Sequence, residues 1–394
     1  MSAGVAAKRI LYVSPVPTHP GSGGNRMRVR RLVEDLRSLG HQVHLLLIHD
    51  KPGDLDAMRA WLDGRLHVVE NPSAPLRTPL GFRALHRAIG GRLLGPGLQY
   101  LADLDHFVSE PLEREVARLA AELEPDVVVV TYAFYSRLLR HFRPGTLKIL
   151  DTVDRVSRRH WQRHRAGTRY VSTGLRQERL ALSRADLVLA IQDEEREHFA
   201  RLAATPVVTL GYRPMLQRLP PAAPGGPPRL GLVGSDNDRN AEGLAWLQGR
   251  VLPRLRARHP DLELLLAGTL CDRPGLRLGP GVRPLGALDD LAKLYDRVHL
   301  AVSPNRSGTG IHVKNLEAMG CGRTLVMTST ATRGMRGAGR AYLSARSARG
   351  FARAVSALLD DPARAARMAE AAWRFATAND ARVRDTLRAV LEAR

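Results

Sequence analysis

Lys314 and Glu317 stand three residues apart, just after the turn Gly308-Thr309-Gly310, in the segment SPNRSGTGIHVKNLEAMGCGRTLVMT. Residues at that spacing share one face of a helix. Glycines let the backbone approach a ligand closely, and the unpaired N–H groups at a helix start attract anions. The pattern suits a diphosphate, with Lys314 adding a full charge. A carboxylate there disfavours phosphate, but it accepts two hydrogen bonds from a diol, so Glu317 suits the ribose of a nucleotide. Spacing alone equally allows a tight turn opening an ordinary helix, with both side chains in solvent. Two well-known phosphate loops are excluded. Val313 occupies the position where the dinucleotide fingerprint needs glycine, and no glycine is followed by lysine, as a Walker loop requires.

Other chemically suggestive spacings are weaker. Asp54/Asp56, Asp103/Asp105 and Asp236/Asp238 form Asp-x-Asp pairs of the kind that hold a divalent ion on a diphosphate, but they share no context. His160 and His164 have zinc-ligand spacing, yet Arg158, Arg159, Arg163 and Arg165 surround them with a field that repels a cation. No metal is expected, because lysine and arginine can neutralise a diphosphate unaided. Residues 155–184 hold nine arginines and a single acid, Glu178. So one-sided a field points to an anionic partner: donor phosphates, a phosphorylated acceptor or membrane lipid. Asp154 just before it suits either a polar contact in a cleft or a helix cap. Over residues 76–104, apolar Leu80, Phe82, Leu85 and Ile89 interleave with Arg77, Arg83, Arg87 and Arg92. That mixture fits a membrane surface or a helix pair packed on its own core.

The elements that must position these residues follow from hydropathy. Buried-type strands are predicted over 10–14, 43–48, 126–131, 147–150 and 187–191, with helical segments between them. The first helix runs from about 25 to 39, with Met27, Leu32, Leu36 and Leu39 at helical spacing and Gly40 at its end. Pro214, Pro220, Pro221, Pro224, Pro227 and Pro228, with Gly225 and Gly226, then break the pattern as a linker over 211–228. The alternation restarts with strands over 230–233, 262–267, 299–303 and 324–328, and helices over 240–258 and 311–320. Pro362 opens a late helix. The fold class is therefore α/β: two doubly wound, Rossmann-like domains over 1–210 and 229–375, facing across a cleft, and a closing helix over 376–394 that packs back on the first domain. The 394 residues give room for two cores, at roughly 100–200 residues per domain.

Composition narrows the function classes. Hydrophobic residues make up 44% and charged residues 25%, which suits a globular protein, and no apolar window is long enough to span a bilayer. Two cysteines, Cys271 and Cys321, exclude a disulfide scaffold and point to a reducing, cytoplasmic setting, with the inner face of a membrane as a place of association. The net charge is +21, and lysine occurs only at Lys8, Lys51, Lys148, Lys293 and Lys314, so the positive charge is almost wholly arginine. Nucleic acid is a rival partner for such a chain. Aromatic residues are only 5%, however, which leaves little stacking surface, and no nucleic-acid partner is expected.

The run SGTGIHVKNLEAMGCGRTLV resembles the donor-binding signature of family-four retaining glycosyltransferases with the GT-B fold. LGLVGSDNDRNAEGLAWLQGRVLPRLRARHPDLELLLAG resembles the start of the same donor domain, and PGSGGNRMRVRRLVEDLRSLGHQVHLL the family's first loop and helix. The resemblance implies transfer of a sugar from a nucleotide-diphosphate sugar to a hydroxyl of a small-molecule, glycan or lipid-linked acceptor. It implies an acceptor-binding first domain, a donor-binding second domain, and retention of anomeric configuration. Glu317 matches the second glutamate of the family's spaced pair and would hold the donor ribose. Lys314 and Arg239 match basic positions facing the diphosphate, so these three form the implied catalytic set. Gly308, Gly310 and Ile311 would offer backbone amides, and Gly23 and Gly24 match the first-domain glycine loop, with Arg26 behind it. Gly234, Asn237 and Thr309 complete the implied donor side, and Asp154 and Tyr132 the acceptor side. Two positions depart from the pattern. Thr309 replaces the first glutamate of the pair, and Thr131 and Tyr132 stand where the family has a histidine. The first departure keeps open a GT-B protein without transfer, such as a nucleotide-sugar epimerase or hydrolase.

Overall fold

The computed structural model describes residues 6–21, 23–49, 52–71, 103–157, 172–221, 226–307 and 310–392. His160, His164, Gly308 and Thr309 lie outside them, as does nearly all of the basic-apolar stretch 76–104. The chain divides into two compact units. One comprises Met1–Pro20, Val29–Leu210 and Thr386–Arg394, the other Gly21–Arg28 and Gly211–Asp385.

The sheet of the first unit is parallel throughout and has the order β3-β2-β1-β4-β5-β6-β7. These strands are β1 (Arg9–Ser14), β2 (Gln42–His49), β3 (Leu66–Glu70), β4 (Val127–Thr131), β5 (Leu147–Asp151), β6 (Leu187–Ala190) and β7 (Val207–Thr209). Helices α1 (Gly24–Ser38), α2 (Leu55–Trp61), α3 (Glu110–Leu123), α4 (Leu175–Leu182) and α5 (Asp193–Leu202) connect them. β4 is Val-Val-Val-Val-Thr and buried at every position, as a central strand covered on both faces must be. α3 lays Leu112, Val116 and Leu119 on the core, at i, i+4 and i+7, beneath the Ser109 cap.

The second unit repeats this plan, with parallel order β10-β9-β8-β11-β12-β13. Its strands are β8 (Arg229–Val233), β9 (Glu263–Ala267), β10 (Val282–Gly286), β11 (Leu300–Ser303), β12 (Leu325–Thr328) and β13 (Tyr342–Ala345). Its helices are α6 (Asp238–Trp246), α7 (Leu252–Arg256), α8 (Ala292–Tyr295), α9 (Val313–Gly320), α10 (Ala348–Leu359) and α11 (Pro362–Glu392), the last ending within the first unit's residues. Side chains alternate between two cores. Leu264 and Leu266 of β9 join one cluster, and Leu265 and Ala267 the other. The helix expected over 240–258 is interrupted. Pro253 has no N–H for the preceding turn, and residues Leu247–Val251 widen into a π-helical turn between α6 and α7.

The breaker-rich stretch after Gly211 does not run free in its described part. The Gln217 N–H donates to Gly320 O at 3.0 Å and the Leu219 N–H to Cys321 O at 3.3 Å, along the end of α9. Gly320 permits this approach, because a Cβ there would stand 2.2 Å from Met215 O. Gly268, with φ +103°, permits another: a Cβ would lie 2.3 Å from Gly234 O, where the loops after β8 and β9 touch. Gly268→Ala is therefore expected to cost about 3 kcal/mol through strain and displaced backbone, and thermal unfolding followed by circular dichroism checks it.

Candidate functional site

In a doubly wound sheet the strand order reverses between the two central strands, and the loops leaving their carboxyl ends leave a crevice for ligands. In the second unit this point lies between β8 and β11. The loop after β8 holds Gly234, Ser235, Asp236 and Asn237, and the loop after β11 leads through Asn305 to α9. Both loops are tied together by amides. Asn240 Nδ2 donates to Ser235 O at 2.8 Å, and Asn305 Nδ2 donates to Asn240 Oδ1 at 3.0 Å.

Lys314, in the first turn of α9, reaches this crossing. Its Nζ donates to Val233 O at 2.9 Å and to Asn240 Oδ1 at 3.2 Å. The side chain keeps part of its surface open, but it sits deep in the protein mass and both of these acceptors are neutral. Burial pushes its pKa down to about 7. His312, immediately before α9, is neutral for a related reason. Burial first, then the charges of Lys314, Arg239 and Arg333, push it down to about 3. One imidazole thus registers three cations from three places: α9, the start of α6 and the turn after β12. His312 Nε2 is buried without a hydrogen-bond partner, and so is the Ser307 hydroxyl. Positive charge, two buried polar atoms without a hydrogen bond and the N-terminus of an eight-residue helix meet at one loop, a combination that suits an anion.

Glu317 lies one turn further along α9 and is only 2% exposed. Its Oε1 accepts from the Tyr212 hydroxyl and its Oε2 from the Met215 N–H at 3.3 Å. The carboxylate therefore also braces the segment after Gly211, and Tyr212 is held in turn by Asn379 Nδ2 on its carbonyl at 2.7 Å. Spacing allows Glu317 either a ligand or solvent; it is in fact buried, and its tyrosine partner is a tertiary addition.

The remaining expected donor-side residues have mixed surroundings. A side chain at Gly310 would meet nothing within 4 Å, so the backbone there is open to approach. Ile311 packs against the core cluster beneath α9. At Gly24 a Cβ would stand 3.3 Å from Val313 Cγ2, and Gly23 has φ +134°, so both glycines serve the local path of the chain. Gly234 is likewise a packing glycine, since a Cβ would meet Leu270 Cδ2 at 2.9 Å. Asn237 caps α6, accepting from the Asn240 N–H at 3.0 Å. Arg26 has its pKa lowered by burial. Tyr132 and Asp154 lie in the first unit, at the carboxyl ends of β4 and β5.

The three Asp-x-Asp pairs have structural work. Asp54 caps α2 and Asp56 pairs with Arg59 at 2.8 Å. Asp103 caps a short turn while Asp105 takes both Arg184 Nη atoms, at 2.5 and 2.7 Å. Asp236 and Asp238 both pair with Arg273, the former at 2.8 Å. Among the described residues no three His, Cys, Asp or Glu side chains gather as a metal would need, and no helix is long and apolar enough to cross a membrane. Sequence reasoning missed Arg333, His312, Asn305 and Tyr212 as parts of this site. Only His312 carried a signal, as a histidine inside the glycine-rich run.

Residues 227–361 match the family model for Glycosyl transferases group 1, and residues 23–213 match the model for a Glycosyl transferase 4-like domain. The chain belongs to the group 1 glycosyl transferases. Its fold is GT-B, as the solved structures it resembles show. Sucrose-phosphate synthase from Thermosynechococcus elongatus aligns with TM-score 0.70 and 16% identity, covering 98% of this chain and 100% of that one. HepE of Anabaena, crystallised with UDP and glucose, aligns with TM-score 0.63 and 16% identity over 97% and 99%. A putative UDP-N-acetylglucosamine 2-epimerase from Listeria monocytogenes aligns with TM-score 0.58 and 14% identity over 98% and 96%. No curated protein matches the sequence.

In this glycosyltransferase the lowered pKa of Lys314 has a testable sign. The unfolded chain holds that proton up to the ordinary lysine value of 10.5, the folded chain only to about 7. The penalty is therefore fully present below about pH 7 and is relieved as pH rises towards 10.5. Lys314→Met is expected to raise the unfolding midpoint most at about pH 6 and least at about pH 9, measured by thermal melts across that range.

Proposed function

We propose that the chain transfers a sugar from a nucleoside-diphosphate donor to an acceptor hydroxyl, with retention and without a metal. The observation that carries this reading is the convergence of Lys314, Arg239 and Arg333 on His312, at the start of α9 and at the switch point of the second sheet. Breaking the bond from the sugar to the diphosphate builds negative charge on the departing oxygen. Cations and helix N–H groups already in place stabilise that charge without reorganising. Lys314 is suited to the task because a diphosphate replaces neutral partners with an anion and so favours the protonated amine. Glu317 accepts from the ribose hydroxyls at an edge of the carboxylate it shares with Tyr212. The diphosphate oxygen itself takes the acceptor proton on the face the sugar leaves, so no protein base is needed. That the structurally similar HepE was crystallised with UDP and glucose supports UDP as the first donor base to try.

Calorimetry with UDP and other nucleoside diphosphates tests the site. Lys314→Ala and Glu317→Ala should each weaken binding about tenfold or more, a loss of about 1.4 kcal/mol. Gly310→Ala should weaken binding with no change in melting temperature, since its new methyl group meets only the ligand. Binding raises the pKa of Lys314 from about 7 and takes up a proton, so affinity should fall as pH rises above that value, and Lys314→Ala should flatten the profile. Equal binding by wild type and these variants would overturn the assignment. Product analysis by mass spectrometry with UDP-sugars separates transfer from epimerisation or hydrolysis.

A further inference from the structure

The first unit concentrates strain and buried charge in one loop, the one that follows β5. β4 and β5 are neighbours, with Thr131 paired to Asp151, and the Tyr132 N–H donates to Asp151 O at 2.8 Å. Just beyond both strand ends the backbone enters the left-handed region, with φ +70° at Tyr132 and φ +59° at Val153. For a β-branched residue this is a costly conformation. Across Val153, the Asp154 N–H donates to Thr152 O at 2.6 Å, closing the three-residue γ-turn of the rarer, strained hand.

The next three main-chain N–H groups are then all taken by carboxylates from two helices. Glu195 of α5, 4% exposed, accepts from Arg155 at 3.1 Å. Glu178 of α4, 1% exposed, accepts from Val156 and Ser157, each at 2.9 Å. Glu178 also accepts from the Ser157 hydroxyl at 2.5 Å and pairs with His198 Nε2 at 2.9 Å. Burial opposes its ionisation, but His198, the Ser157 hydroxyl and the two N–H groups outweigh burial and hold the carboxyl below its ordinary value. Thr152 is fastened separately, its hydroxyl donating to Leu189 O at 2.9 Å. A loop that only had to connect β5 to α4 needs neither a left-handed valine nor two buried carboxylates. Strain that is over-determined in this way marks a segment whose pose matters.

We infer that Glu178 is a positioning residue: through the locked turn at Val153 it sets Asp154, at the end of β5, as the hydrogen-bonding contact for a hydroxyl of the co-substrate. The inference rests on the transferase reading above and adds to it the residue that orders the acceptor side. Its chemistry asks for a neutral polyol or glycoside hydroxyl, which donates to a carboxylate. The single acid in an arginine-rich stretch thus works inward on the main chain.

The test measures calorimetric binding of octyl glucoside, galactoside and mannoside to the full chain, with and without UDP. Wild type should bind at least one. Asp154→Asn and Glu178→Gln should each weaken that binding about tenfold while leaving UDP affinity within about twofold. The double variant should bind no worse than Asp154→Asn alone, because Glu178 acts through Asp154. Ser157→Ala, which removes one of the hydrogen bonds to Glu178, should give a smaller effect in the same direction and serves if Glu178→Gln fails to fold. Additive losses, unchanged glycoside binding in Asp154→Asn, or no glycoside bound by wild type would each overturn the inference. Absence of UDP binding would instead count against the donor site, and glycoside binding without UDP would still decide this one.

Discussion

A lysine ammonium held by a main-chain carbonyl and an amide oxygen, with its pKa down near 7, is the constraint around which the second unit is arranged. Protein interiors do not hold such a group unless something offsets its desolvation. Here the offset is supplied by the ends of a parallel sheet. β8 delivers the carbonyl of Val233, and α6 delivers Asn240, which also receives Asn305 from the loop after β11. Arg239 and Arg333 add to the positive potential that His312 senses at the same loop.

Glu317 follows Lys314 by three residues on α9 but turns to partners of its own. Its oxygens are committed to Tyr212 and to the Met215 N–H, and that commitment also draws the proline-rich segment onto the end of α9. One buried carboxylate thereby orders both a candidate ribose contact and the chain that enters the second unit. The first unit uses carboxylates likewise. Glu178 and Glu195 take main-chain N–H groups and hold a turn that the local sequence would otherwise avoid. In both units, buried acids fix backbone.

Nine of the thirteen strands among the described residues are legible in the sequence, and the four that are not share one property. β3, β7, β10 and β13 are the edges of the two sheets. An edge strand is covered less, so it need not be uniformly apolar, and β10 carries exposed Arg283 and Pro284 while β13 is partly exposed along its length. Central strands such as β4 must exclude water on both faces and announce themselves as apolar runs. The π-helical turn before Pro253 escaped notice because the apolar spacing runs on through it.

The chemistry divides along the same line. Lys314, Glu317, Gly310 and the family likeness are properties of a contiguous run, so the sequence alone determined the fold class and the family and singled out the segment proposed to meet the ligand. Arg333 and Tyr212 join that segment from other loops, Asn240 meets its Asn305 from α6, and Glu178 reaches Ser157 across 21 residues. Such contacts depend on which strand ends lie side by side. That adjacency, together with the burial that shifts Lys314 and His312, exists only once the sheets have formed, and the tertiary structure alone decided it.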